Sequence, residues 1–271
     1  MTNELRVVLG EYDTGWHDPA TSLERAGRLV RGAAQQGAHL VALPEMCLSG
    51  FTMEPKAHAV PLDSPHVRAL ATLAAESGIH LLAGVAAREV VEGREAFLNT
   101  ALLFGPNGEL DASYRKQKLF AYANEHGSYE PGDGPTTAMV RGVRIGLFIC
   151  YDLRFPELFR AIAPEVDAMF VIANWPAGRR SHWDALLPAR AIENQAYAIG
   201  VNRVGDAGGL AYDGGSAAYD PWGERLVPTP AVGDAPGYVT LTAERVADIR
   251  GRFPFIRDLV RDGATTSAIG A

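Results

Sequence analysis

The sequence has little of what membrane-spanning, nucleic-acid-binding and disulfide-rich proteins require. None of its apolar runs approaches the roughly 20 residues that cross a bilayer. Acidic residues outnumber basic ones by 32 to 25, for a formal net charge of -7, whereas phosphate binding needs clustered basic residues. We therefore expect no membrane or nucleic-acid partner. The first residues also lack the basic start and apolar core of a signal peptide, so we expect a cytoplasmic protein.

Cysteine is equally scarce. The chain has two, Cys47 and Cys150, which can form at most one disulfide. In a reducing compartment free thiols are the expected state. Neither cysteine is accompanied by histidines at the spacing of a zinc site, and we predict no metal and no cofactor.

Short apolar runs alternate with segments of helical spacing along most of the chain. Predicted strands include residues 5–9, 39–43, 79–86, 97–104, 143–149, 168–173 and 196–201, and predicted helices begin at Pro19, Pro65, Pro156 and Ser181. Pro188 should kink or interrupt the last of these helices. The alternation predicts an α/β sandwich. Because no stretch reads as a flexible linker, a single domain over residues 1–271 is the simpler arrangement.

The most informative stretch joins a predicted strand to a predicted helix. Residues 143–149 read as a buried strand, and Pro156 suits the first turn of a helix, so Cys150 lies between the two. Such a turn can expose a nucleophile beside backbone N–H groups that hold an oxyanion. A small core cysteine fits the same pattern, and this stretch alone leaves both interpretations open.

Two further charged residues follow predicted strands. Because strand ends gather along one edge of a sheet, Glu45, Lys116 and Cys150 could converge in one pocket. The carboxylate would then remove the thiol proton, and the thiolate would attack a carbonyl carbon. The ammonium would stabilise the oxyanion and lower the thiol pKa. Each residue could equally be an ordinary loop or strand-end charge, because spacing alone does not establish convergence.

Three motifs in order resemble those of one family, the nitrilase or carbon–nitrogen hydrolase superfamily. Residues 43–46 resemble its glutamate motif, residues 114–116 its lysine motif and residues 149–157 its cysteine motif. The resemblance extends from about Leu5 to the strands near Tyr238. It implies a four-layer α-β-β-α sandwich, usually assembled as a homodimer or larger homo-oligomer.

The resemblance also implies roles for individual residues. Glu45 would be the general base, Cys150 the nucleophile and Lys116 the oxyanion stabiliser, with the backbone N–H of Tyr151 as a second oxyanion donor. Glu125 lies in the loop after the lysine, where family members often carry a further glutamate. It would orient Lys116 and the substrate amide, although an ordinary loop acid remains an alternative for Glu125.

Within the superfamily the closest likeness is to omega-amidases, which hydrolyse the terminal amide of 2-oxo dicarboxylic monoamides such as 2-oxoglutaramate. A substrate with a carboxylate calls for a cation, and Arg179 is the candidate because arginine pairs with carboxylates bidentately. Trp175, Phe51 and Tyr122 would line an apolar wall. An exposed loop arginine and core aromatics are the alternatives.

The sequence departs from the family pattern at one position, and it leaves the choice of substrate open. Lys118 stands where the family commonly has histidine, and its effect depends on whether it points into the pocket. The same chemistry would also serve deaminated glutathione, N-carbamoyl amino acids, aliphatic amides or nitriles. A non-catalytic scaffold of the same fold is the alternative from a different functional class.

Overall fold

The computed structural model describes residues 4–227 and 237–259. The strands there are β1 (Glu4–Leu9), β2 (Leu40–Ala42), β3 (Val60–Pro61), β4 (His80–Val91), β5 (Arg94–Phe104), β6 (Leu110–Arg115), β7 (Thr137–Val140), β8 (Val143–Ile149), β9 (Ala168–Ile172), β10 (Tyr197–Val201), β11 (Val204–Ala207), β12 (Leu210–Asp213), β13 (Ala217–Tyr219) and β14 (Gly237–Thr242). The helices are α1 (Pro19–Gln35), α2 (Pro55–His58), α3 (Pro65–Ser77), α4 (Pro156–Ile162), α5 (Arg180–Asn194) and α6 (Ala243–Arg252). Of the helices in this part of the chain, none has both the length and the apolarity to cross a bilayer.

Two mixed sheets contain most of the strands. The first has the order β14-β1-β2-β4-β5-β6, with β3 paired to β4, and the second has the order β13-β10-β9-β8-β7. Strands β1, β2 and β4 are parallel, as are β8, β9 and β10. Glu45 follows β2 and Cys150 follows β8, so each lies beyond the carboxyl end of a parallel strand, where such sheets place their sites.

Side chains on each strand alternate between two apolar layers. Leu9 of β1 and Leu147 of β8 belong to the core between the sheets. Val8, on the opposite face of β1, packs with α1 and α3, and Phe148 packs with α4 and α5. The protein is therefore an α/β four-layer α-β-β-α sandwich, and the predicted fold class is confirmed.

The helix ends follow the local signals in the sequence. The Asp18 side chain accepts a hydrogen bond from the N–H of Thr21 at 3.0 Å at the start of α1. Ser64 does the same for the N–H of Val67 at 3.3 Å in α3. Gly78, with φ 63°, ends α3 in the left-handed conformation that glycine adopts readily.

One helix differs from the prediction. Helix α5 continues through Pro188 without interruption, although proline removes a backbone hydrogen bond there. Trp183 and Leu187 before the proline, and Ala191 after it, are all buried against the second sheet. Tertiary packing on both sides of Pro188 therefore outweighs the local preference.

Candidate active site

The charged residues that the sequence analysis expected to converge do meet. The Nζ of Lys116 lies 2.9 Å from Oε1 of Glu45 and 3.0 Å from Oε2 of Glu125, and all three side chains are fully buried. The backbone of Asn174 connects this cluster to Cys150. Its backbone N–H donates to Oε2 of Glu45 at 2.9 Å, and its backbone oxygen lies 4.0 Å from the cysteine Sγ. A thiol, an ammonium and two carboxylates thus share one site.

The backbone is strained on both sides of this site. Cys150 has φ 46° and Met46, next to the glutamate, has φ 43°. Such left-handed conformations cost about 1–3 kcal/mol outside glycine and cluster at functional sites. A single helical turn, Cys150–Arg154, begins at the cysteine. The first N–H groups of such a turn, that of Tyr151 included, have no acceptor within it.

A buried aspartate fixes this turn. Asp152 accepts hydrogen bonds from the N–H of Ile149 at 2.9 Å, the N–H of Lys118 at 2.9 Å and the hydroxyl of Tyr114 at 2.8 Å. Burial raises the pKa of Asp152 to about 6, although the donors and the Lys116 ammonium oppose this shift. Asp152 ties the lysine motif to the cysteine motif, a role not predicted from the sequence.

The lysine remains charged despite its burial. Burial alone would lower the pKa of Lys116, but the carboxylates of Glu125 and Glu45 outweigh it and raise that pKa well above its usual value. The ring of Phe51 adds a cation–π contact, with its centre 5.2 Å from Nζ. An ammonium held in this way supplies fixed positive charge and hydrogen-bond donors.

Lys116 lowers the pKa of the cysteine as expected, but burial and the nearby carboxylates outweigh it. Burial raises the pKa of the Cys150 thiol well above its usual value, the Glu45 carboxylate raises it further, and Lys116 lowers it only in part. Two negative charges and one positive charge surround the sulfur, so the surroundings do not favour a resting thiolate. A base must therefore take the proton when the sulfur reacts.

Two asparagines hold the carboxylates in place. The Nδ2 of Asn99, in β5, donates to Oε1 of Glu45 at 2.7 Å and to Oε1 of Glu125 at 2.8 Å. The Nδ2 of Asn174 donates to the backbone oxygen of Glu45 at 2.5 Å. Neither role was predicted from the sequence. A polar residue in the apolar run of β5 was the available signal, since asparagine is depleted in strands.

A pocket of about 350 Å³ opens beside the cysteine. The predicted residues Phe51, Tyr122, Trp175 and Arg179 all line it. Trp175 is buried, whereas Tyr122 is 89% exposed and lies at the mouth. Tyr151, proposed above as an oxyanion donor, also lines the pocket. Lining residues without a role predicted from the sequence are Trp16, Phe120, Arg154 and, from the β11–β12 hairpin, Ala207, Gly208, Leu210 and Tyr212.

Two guanidinium groups lie on the pocket wall. That of Arg179 is 5.1 Å from the ring centre of Phe120, and that of Arg154 is 4.8 Å from the ring centre of Trp175. Within residues 4–227 and 237–259 neither arginine forms an ion pair with a carboxylate. The wall therefore offers positive charge for an anionic group.

Two residues left open by the sequence lie outside the pocket lining. The Nζ of Lys118 is 3.7 Å from Oε1 of Glu157 and stacks over the ring of Phe155. Cys47 is a free, fully buried cysteine whose pKa burial raises to about 12. The part of the chain that the structure describes contains no group of three or more His, Cys, Asp or Glu side chains arranged to hold a metal ion.

Comparison with known proteins identifies the class. A family model described as Carbon-nitrogen hydrolase matches residues 6–250, and the chain belongs to that family. It is therefore a hydrolase that acts on amides, and the resemblance inferred from the three motifs is confirmed.

The chain is similar to individual members of this family over nearly its whole length. Omega-amidase YafV of Escherichia coli (strain K12) is 37% identical over 259 residues, covering 94% of this chain and 96% of that protein. The 2-oxoglutaramate amidase of Bacillus subtilis (strain 168) is 28% identical over 256 residues, covering 93% and 96%. The crystal structure of XC1258 from Xanthomonas campestris, a CN-hydrolase superfamily protein, matches with a TM-score of 0.87 and 36% identity, covering 94% of this chain and 97% of that one.

Proposed function

We propose that this protein is an omega-amidase that hydrolyses the terminal amide of a small carboxylate-bearing amide, with 2-oxoglutaramate as the leading substrate. The observation that carries the proposal is the cluster of Glu45, Lys116 and Glu125 beside Cys150, in a pocket whose wall bears two guanidinium groups. The names of the E. coli and B. subtilis relatives support the same substrate class.

In the first half of the reaction, Glu45 takes the proton from Cys150 as Sγ attacks the amide carbon. The carbonyl oxygen becomes an oxyanion, which Lys116 and the N–H of Tyr151 stabilise. Glu125 orients Lys116 and the substrate amide. The carbon–nitrogen bond then breaks, the proton passes from Glu45 to the leaving nitrogen, and ammonia departs from a thioester. The raised pKa of Cys150 supports this order, because the thiol needs a base.

In the second half, water replaces ammonia. Glu45 removes a proton from the water as its oxygen attacks the thioester carbon, and the same donors stabilise the second oxyanion. The carbon–sulfur bond breaks, the proton returns to the sulfur of Cys150 and the carboxylic acid is released. Glu45 thus carries one proton in each half, which its position beside Asn174 and Lys116 supports.

Arg179 and Arg154 would bind the substrate carboxylate. Both guanidiniums line the pocket, and each has an aromatic ring on one side that limits its movement. Their edges can pair with a carboxylate in the bidentate geometry that arginine favours. The amide end of the substrate then points toward Cys150, and the carboxylate end toward the wall.

The test is ammonia release by the purified protein over a panel of amides. We expect the highest kcat/KM for 2-oxoglutaramate, with lower values for deaminated glutathione, N-carbamoyl amino acids, aliphatic amides and nitriles. A higher value for any of these would keep the chemistry and replace the substrate. No ammonia from any of them would support the scaffold alternative.

A homodimer would form through an apolar patch on the outer side of the second sheet. Ile192, Trp222 and Phe255 are exposed there, and the ring of Phe253 links two of them, with its centre 4.5 Å from that of Trp222 and 6.0 Å from that of Phe255. Exposed apolar patches of this kind mark interfaces. Light scattering at micromolar concentration should give twice the mass of one chain. The Ile192→Asp variant should give the mass of a single chain.

A further inference from the structure

We infer that Asn99 is a positioning residue of the active site, and that its side-chain amide keeps the two carboxylates beside Lys116 charged. The inference rests on the proposed roles of Glu45, Lys116 and Glu125 and extends them. It assigns a function to a neutral residue that the three motifs do not contain.

Asn99 makes hydrogen bonds to all three residues of the buried cluster, to the carboxylates of Glu45 and Glu125 and to the backbone of Lys116. Its Nδ2 lies 2.7 Å from Oε1 of Glu45 and 2.8 Å from Oε1 of Glu125, so both amide hydrogens are used. Its backbone oxygen accepts the N–H of Lys116 at 2.9 Å. Turning the amide over would place an oxygen against two carboxylates, so the hydrogen-bond network fixes the nitrogen on this side. One buried residue of β5 therefore holds both acids and the lysine backbone.

The cluster needs hydrogen-bond donors besides the ammonium because its charges do not balance. The backbone N–H of Asn174 donates to Oε2 of Glu45 at 2.9 Å and that of Phe120 to Oε2 of Glu125 at 2.6 Å, and Asn99 is the side-chain donor that both acids share. Two carboxylates share one ammonium, and neighbouring carboxylates tend to share a proton rather than both ionise. A shared proton would occupy the base before the reaction begins. Oε1 of Glu45 and Oε1 of Glu125 each accept from Lys116 and also from Asn99. Hydrogen bonds to the charged form of a carboxylate oppose its protonation. The Asn99 amide donates one such bond to each carboxylate, in addition to those from the Lys116 ammonium.

Packing does not explain an asparagine at this position. Asn99 is fully buried, and its Oδ1 has no protein partner within residues 4–227 and 237–259. A buried acceptor without a partner is destabilising, and an apolar side chain of the same size would avoid that. The two hydrogen bonds from Nδ2 to the carboxylates therefore explain why an asparagine is buried at this position.

The experiment follows alkylation of Cys150 by iodoacetamide in the full-length protein from pH 4 to pH 10, with mass spectrometry to identify the labelled cysteine. This readout needs no substrate. Asn99→Leu removes both hydrogen bonds at similar volume. We expect the acidic limb of the profile, the range in which the alkylation rate falls as the pH is lowered, to move up by about one to two pH units. This is the size expected for losing a hydrogen bond to a charged group. Rates within that limb should fall by about 10- to 100-fold.

The neighbouring residue provides a matched control. Thr100 is also fully buried in β5, and its hydroxyl makes no hydrogen bond to protein in the described part of the chain. Thr100→Val should leave the acidic limb where it is in the unmodified protein. Asn99→Asp keeps the shape and adds a third acid, so its acidic limb should also move up.

The outcomes separate this inference from the proposed substrate. A folded Asn99→Leu protein with an unshifted acidic limb overturns the inference, and if that variant does not fold, an unshifted limb in Asn99→Asp overturns it instead. A shift of the same size in Thr100→Val would also overturn it, since any buried change would then suffice. Failure to release ammonia from 2-oxoglutaramate refutes the substrate and leaves the alkylation profile unaffected.

Discussion

The base and the mouth of the pocket are built in different ways. At the base, Glu45, Lys116 and Glu125 are fully buried and linked by hydrogen bonds to residues of the sheets. At the mouth, Tyr122 is 89% exposed and Trp16 39% exposed, and the contacts are mainly aromatic. The base therefore suits a fixed reaction, whereas the mouth suits the choice of substrate, because loop residues can change without disturbing the sheets.

The hairpin illustrates the second kind of construction. Strands β11 and β12 pair with each other rather than with either large sheet, and they turn through Gly208 and Gly209. Gly208 has φ 58°, and a side chain there would come within 3.1 Å of the Trp16 ring. The mouth thus depends on one close backbone approach to an aromatic ring, whereas the base depends on many hydrogen bonds.

The largest effect should come from the base, at the nucleophile. In the proposed mechanism Cys150→Ala removes the atom that would form the thioester, and we expect kcat to fall by at least about 10³-fold, as for other covalent catalysts. Cys47→Ala should keep kcat within about threefold, because Cys47 is buried outside the pocket lining. Ammonia release with 2-oxoglutaramate measures both. Equal losses would show that any cysteine change damages the fold.

Asp152 should affect the stability of the base in a pH-dependent way. Its pKa is about 6 in the folded protein and about 3.9 in an unfolded chain, so the folded state binds the proton more tightly. Its contribution to the free energy of unfolding is therefore greatest below about pH 4 and is lost as the pH rises through about 6, by up to ~3 kcal/mol.

Urea unfolding of the unmodified protein and of Asp152→Asn, between pH 4 and pH 7, measures this change. The free energy of unfolding of the unmodified protein, minus that of the variant, should fall with rising pH. A difference that is constant or rises with pH would contradict a raised pKa for Asp152.

The next effect belongs to the pocket wall. Arg179→Met keeps an unbranched, flexible side chain and removes the guanidinium charge, so KM for a carboxylate-bearing amide should rise by about 10- to 100-fold, the size of a charge-assisted hydrogen-bond pair. KM for a neutral amide such as butyramide should change little. Arg160→Met, on an exposed arginine of α4, is the matched control. Equal increases for both amides would remove Arg179 from carboxylate binding.

The smallest effect should come from the mouth. Tyr122 exposes most of its surface and can bury little of it against a small substrate, so Tyr122→Ala should change kcat/KM for 2-oxoglutaramate by less than about threefold. Steady-state kinetics measure this. A tenfold loss would show that Tyr122 closes over the substrate and that the mouth is as constrained as the base.

The sequence predicts the base better than the mouth for a physical reason. Glu45, Lys116 and Cys150 follow strands, and strand positions are readable from the alternation of apolar residues. Residues 204–213 contain three glycines and little alternation, so the hairpin that lines the mouth was not predicted. Two residues that hold the base of the pocket in place, Asn99 and Asp152, were also not predicted. Asn99 and Asp152 act through contacts between distant segments, which no local pattern encodes.

Two further differences have the same origin. The pKa of Cys150 is raised by burial first and by the Glu45 carboxylate next, with a smaller contribution from Glu125, and the chemistry of a thiol beside a lysine does not include these effects. The uninterrupted course of α5 past Pro188 depends on packing against the second sheet. A cytoplasmic location and a single domain over residues 1–271 stay predictions of the sequence.

The unequal count of charges at the base bears on how the reaction ends. Glu45 and Glu125 carry two negative charges against the one positive charge of Lys116. A neutral amide group enters this environment without electrostatic cost, but hydrolysis turns it into an anion beside two existing anions. Mutual repulsion then favours release of the newly made acid, so we expect 2-oxoglutarate, the product of the proposed substrate, to inhibit ammonia release only weakly.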